Sequence, residues 1–62
     1  MRLIDLLPRD KFFIPTLPEA EEFKVLIKYS SQRIVVSKLA SGERVELPGD
    51  IPVVRTWKGL QL

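Results

Sequence analysis

The stretch "FKVLIKYSSQRIVV", residues 23–36, decides how this chain folds. Phe23, Val25, Ile27 and Tyr29 alternate with Lys24, Leu26 and Lys28, the period of two that marks a half-buried β-strand. Ser30 and Ser31 then read as a two-residue turn, and the chain returns through Arg33, Ile34, Val35 and Val36. In that register Ile27 lies opposite Ile34 and Val25 opposite Val36, so the apolar sets share one face. A slip of one residue would move Ile34 and Val36 to the lysine side, so pattern and turn specify the same pairing. The register also sets Lys28 beside Arg33, two like charges whose repulsion costs about a few tenths of a kcal/mol. Serine is not what tight hairpin turns favour, which leaves room for a longer loop of the same parity.

A second hairpin follows in "LASGERVEL", residues 39–47, where Gly42 supplies the positive φ that such turns demand. Pairing across Ser41-Gly42 keeps Val36, Val45 and Leu47 on the inner face. Lys38 also falls inward, near an edge where its stem packs and its ammonium escapes. "PGD" at 48–50 is a strong turn signal, "IPVVRTW" at 51–57 makes a last strand, and "KGLQL" trails off. Upstream, "KFFIP" at 11–15 is a short strand preceded by the turn "LPRDK". "PTLPEAEEF" holds two prolines and three glutamates and reads as a loop, with room for one helical turn over Glu19–Glu22. "MRLIDLL" at the start is either one or two helical turns ended by Pro8 or an extended arm.

Sixty-two residues suffice for one small domain, expected over residues 1–62 with an N-terminal arm at 1–9 and an acidic, Pro-rich loop at 15–22. A chain of this length buries only about 60% of the surface its unfolded form exposes, so it needs an efficient core or a partner. Disulfides are excluded because there is no cysteine, and without histidine as well no soft or imidazole ligand exists for zinc or copper. Four or five short strands with turns every 8–12 residues predict an all-β fold: a small five-stranded SH3-like barrel with a short N-terminal helical or extended arm. The expected core is Phe12, Ile14, Phe23, Val25, Ile27, Ile34, Val36, Val45, Leu47 and Val54. The four aliphatics among the first seven residues are costly to leave wet, and the expectation is that they plug the open end of the barrel rather than dock on another subunit.

"DLLPRDKFFIP" with the later "GERVELPGDIPV" resembles a loose class of small, uncharacterised bacterial SH3-like barrel proteins. Leu6, Pro8, Asp10 and Phe12 match the opening of that pattern, and Gly42, Val45, Leu47 and Val53 match its close. Arg9 departs from it, standing where the pattern wants glycine. The resemblance implies a fold and no activity, because one fold hosts many functions.

No residue set carries an enzyme signature. General acid–base work would fall to carboxylates, lysine or tyrosine, and Ser30 and Ser31 have no partner base at a meaningful spacing. Asp10 and Asp50 lie in turns, where aspartate bonds local backbone. The glycines at 42, 49 and 59 sit singly in turns, without a phosphate-binding fingerprint. Glu19, Glu21 and Glu22 read as a solvated acidic loop rather than a cation site. The chain is therefore expected to be non-enzymatic, with no cofactor, metal or small-molecule substrate.

What remains is a binding module for a protein partner or for self-association, with Leu26 and Val35 as an exposed aliphatic centre and Lys24, Lys28 and Arg33 as its basic rim. The alternative is a nucleic-acid-binding barrel, with Trp57 as a stacking platform beside Arg55 and Lys58. A net charge of +2 is compatible with either. No apolar run reaches the length of a membrane span and no secretory signal is read in "MRLIDLLP", so a cytoplasmic location without membrane contact is expected.

Overall fold

The computed structural model describes residues 1–19 and 21–57. A 3-10 turn at Leu3–Asp5 precedes five strands: β1 (Lys11–Phe13), β2 (Glu22–Ser30), β3 (Arg33–Lys38), β4 (Arg44–Leu47) and β5 (Val54–Trp57). They form one antiparallel sheet in the order β4-β3-β2-β1-β5. The fold is all-β. The sheet is open, with β4 and β5 as its edges.

The β2–β3 hairpin keeps Ile34 and Val36 fully buried, but its ladder differs from the simple alternating one. Val25 pairs with Val36, after which Ile27 pairs with Val35, Lys28 with Ile34 and Ser30 with Arg33. Leu26 and Tyr29 are thus extra residues on β2, two bulges in one strand. Each bulge shifts the inside–outside alternation by one and tightens the local twist. Ile27 and Tyr29 consequently leave the core and stand 47% and 60% exposed. Lys28 turns to the core side instead, and its ammonium donates to the Ile4 carbonyl at 2.8 Å. The expected Lys28–Arg33 repulsion does not exist, because Arg33 faces Ser30 and is salt-bridged to Glu46 at 3.2 Å. The turn itself is Ser31-Gln32, one position later than expected, and neither residue has positive φ. The Ser30 hydroxyl accepts from the Gln32 N–H across it.

In the second hairpin a four-residue loop, 39–42, closes with Gly42 at φ 76. Its N–H donates to the Lys38 carbonyl at 2.7 Å, while the Lys38 N–H donates to the Glu43 carbonyl at 2.8 Å. Val45 and Leu47 pack against the core as the pattern requires, and Lys38 meets Glu43 at the margin.

The first turn answers the question raised by Arg9. The Asp10 N–H donates to the Leu7 carbonyl at 3.1 Å, with Pro8 second and Arg9 third at φ 75. That is a type II turn, whose third position favours glycine. The geometry is kept with an arginine, at a cost of about 1–2 kcal/mol for the left-handed backbone. Asp10 compensates in part: its buried carboxylate accepts from the Leu7 N–H at 3.0 Å and lies 3.8 Å from the Arg55 guanidinium.

Leu3 and Leu6 are fully buried beside Phe12, Ile14, Phe23, Val25, Ile34, Val36 and Val53. Phe12 and Phe23 stack with ring centroids 5.4 Å apart at its centre. The arm is held by backbone as well. The Leu3 and Ile4 N–H groups donate to the carbonyls of Ile51 and Gly49, and the Val53 N–H returns to Met1. Because residues 49–53 pair with this arm, the inward position falls on Val53, and Val54, expected in the core, is 43% exposed. The acidic loop runs through turns and bends over 15–19. Glu22 belongs to β2 rather than to the helical turn considered for Glu19–Glu22, part of which lies outside the described residues.

Candidate functional site

The ladders of the sheet bring five residues from five strands into one row. Lys11 of β1 is the partner of Trp57 on β5 and of Lys24 on β2. Lys24 is in turn the partner of Ser37 on β3, and Ser37 of Arg44 on β4. Side chains alternate along a strand, and the neighbours of these residues fix which face they occupy. Phe12, Phe23, Val25 and Val36 are buried, and Val45 packs against the core, so Lys11, Lys24, Ser37 and Arg44 point to the outer face. Trp57 joins them because Thr56 is a bulge in β5: Phe12 pairs with Arg55 but Lys11 with Trp57. The Lys11 ammonium sits 5.0 Å from the centroid of the Trp57 ring, a cation–π contact across the β1–β5 pair.

Four inter-strand steps of about 4.8 Å make this row roughly 19 Å long. It carries three cations, one hydroxyl and one half-exposed indole, and no acid. Lys11, Lys24 and Arg44 form no ion pair with any described residue. Lys11 and Lys24 are like charges directly opposite each other in the β1–β2 ladder. Two carboxylates share this face: Glu22, two residues from Lys24, accepts from the Thr56 hydroxyl and keeps its charge, and Glu46 binds Arg33 in a two-bonded fork. The hydrogen bond to Glu46, then its charge, holds the Arg33 pKa above its usual value. The guanidinium also lies over the Tyr29 ring at 5.4 Å. Arg33 is therefore already neutralised.

The residues expected to form a binding site are redistributed. Lys24 and Val35 share the outer face. Leu26 is the half-buried bulge residue, and the aliphatic neighbour of Val35 is Ile27. Lys28 has left that face for the Ile4 carbonyl. Of the three residues grouped around a stacking platform, Trp57 is exposed, whereas Arg55 faces inward to Asp10. Lys58 lies outside the described residues. Lys11, Ser37 and Arg44 were missed because only the cross-strand registers join them to Lys24 and Trp57.

Among the described residues no group of three or more carboxylate, histidine or cysteine side chains is placed to hold a metal ion, and no helix is long and apolar enough to cross a membrane. Compared with models of protein families, with curated proteins and with solved structures, the chain matches none.

Proposed function

We propose that this chain is a small SH3-like barrel acting as a non-enzymatic binding module, and that it holds an anionic partner on the outer face of its sheet. The SH3-like reading is supported by the sequential meander β2-β3-β4, by β1 pairing with both β2 and β5, and by a long, doubly bulged β2 that can serve two halves of a barrel. Leu6, Asp10, Phe12 and Val53, four residues on which the family resemblance rests, are all buried.

The observation that carries the functional reading is the Lys11–Lys24–Arg44 row, in which no cation is ion-paired to a described residue. Lys11 and Lys24 are cross-strand partners and Arg44 lies two strands further on, and cations gathered on one face without ion-pair partners repel one another, at a cost that a bound polyanion would reverse. Retention on immobilised heparin, a generic polyanion, tests this. Lys24→Gln is expected to elute at clearly lower salt than wild type. Lys38→Gln, with the same net-charge change beside Glu43, should elute close to wild type. Equal shifts in the two variants, or no retention of wild type at low salt, would overturn the reading.

A further inference from the structure

We infer that the anionic partner is a single-stranded nucleic acid, laid across the strands with its phosphates along Lys11, Lys24 and Arg44 and a base stacked at Trp57. This rests on the outer-face reading above and adds the chemistry of the partner. An acidic protein segment would need only the cations, and nothing in its side chains explains an exposed indole at one end of the row. Trp57 is 48% exposed, on the edge strand, and tied to the first cation of the row by the Lys11 contact. The Lys11 ammonium lies over one face of that ring, so a base takes the opposite face or displaces the ammonium toward its own phosphate. Sequence-tolerant single-strand binders combine these same two elements, a basic track and aromatic platforms.

Phe13 strengthens the assignment. It lies two residues along β1 from Lys11, on the same outer face, half-buried between Val54 and Glu22. The β1–β5 end of the outer face thus sets Phe13, Val54 and Trp57 beside the Lys11 ammonium, and Lys24, Ser37 and Arg44 continue the row across β2–β4. A duplex has its bases stacked internally and offers nothing to Trp57, so the arrangement favours unpaired strands.

Trp57 is the single tryptophan of the chain, so its own fluorescence reports occupancy. Titration with an oligodeoxythymidylate of about twelve nucleotides, within the ~4–16 nucleotide sites of small barrels, is expected to quench it. Three cations predict that log K falls with log salt at a slope of about −2, at roughly 0.7 per phosphate contact. Lys24→Gln should flatten that slope by about 0.7. With an end-labelled oligonucleotide and anisotropy as readout, Trp57→Ala should weaken binding about 5- to 150-fold, the loss of one stacked base. Trp57→Phe should retain most of the affinity, and its retention shows that the edge of the sheet is intact. Trp57→Ala should leave heparin retention unchanged.

The result that overturns the inference alone is heparin or polyglutamate binding without an oligonucleotide response, which keeps the outer-face site and makes the partner an acidic protein. Oligonucleotide binding that Trp57→Ala does not weaken also overturns it. Absence of all binding at low salt removes both the inference and the reading beneath it.

Discussion

Gly49→Ala is expected to remove most of the stability of this protein. Gly49 has no positive φ, so its requirement is one of space rather than of backbone conformation. It threads between two other parts of the chain: its N–H donates to the Ser31 carbonyl and its own carbonyl accepts from the Ile4 N–H, each at 2.9 Å. A Cβ there would lie deep inside contact distance of the Ser31 carbonyl oxygen, 3.1 Å from the Ile4 Cβ and 3.2 Å from Ile34 Cδ1. Backbone on one side and core on the other leave nothing flexible to yield. Overpacking of about 1–3 kcal/mol, plus about 0.5–1.5 kcal/mol for each of the two hydrogen bonds strained, totals about 2–6 kcal/mol. A domain of this length holds about 3–9 kcal/mol in all. Gly42→Ala is the comparison, with no neighbour within 4 Å and only its φ of 76 to oppose a side chain, so about 1–2 kcal/mol is expected. Thermal unfolding separates the two at about 4–8 °C per kcal/mol. Equal costs would show that residues 49–50 do not pack as described.

The second large effect is a contrast between neighbours. Leu6 is fully buried and Leu7 is 50% exposed, although both belong to the same apolar run. Leu6→Ala should cost about 2–5 kcal/mol, because it removes a side chain of the buried core and leaves a cavity there. Leu7→Ala should stay within about 0.5 kcal/mol. Denaturant midpoints for the two variants check this, and similar losses would mean that the arm is held as an undifferentiated apolar strap. The arm thus contributes both core and backbone pairing, which is how a chain without disulfides obtains enough buried surface at this length.

Much of the fold could be read from local pattern. Phe23 and Val25, like Ile34 and Val36, stand two apart on their strands and lie inside, Gly42 turns the second hairpin, and the five strands follow in order. What failed did so at the bulges. Alternation carries no information about an inserted residue, and the only local sign was the unbroken apolar run Val25-Leu26-Ile27, where a strict strand would show a polar residue. That one insertion moved Ile27 outward and Lys28 inward, and the second, at Tyr29, set Ser30 outward opposite Arg33. The shift from Val54 to Val53 has a similar origin in the pairing of residues 49–53 with the arm, which no pattern in either segment announces.

The outer row was less accessible still. Lys11, Lys24, Ser37, Arg44 and Trp57 come from five strands, and their alignment depends on four separate registers. The β1–β2 register spans an irregular loop whose length fixes no parity, and the β1–β5 register depends on the Thr56 bulge. Lys24 and Trp57 stand out singly as a basic residue and an aromatic, whereas nothing local marks Lys11 as their link. The like-charge neighbours that matter are Lys11 and Lys24, and their repulsion was invisible until the ladder joined them.

Mapping amide chemical shifts during a titration with oligodeoxythymidylate at low salt tests the outer-face site most directly. The largest changes should fall on Lys11, Lys24, Ser37, Arg44 and the Trp57 amide and indole N–H, and should revert as salt is added. Ser31, Gly49 and Ile4, at the turn packed under the arm, should stay still. Changes centred on those three residues, or none anywhere, would contradict the assignment of the row as the binding surface.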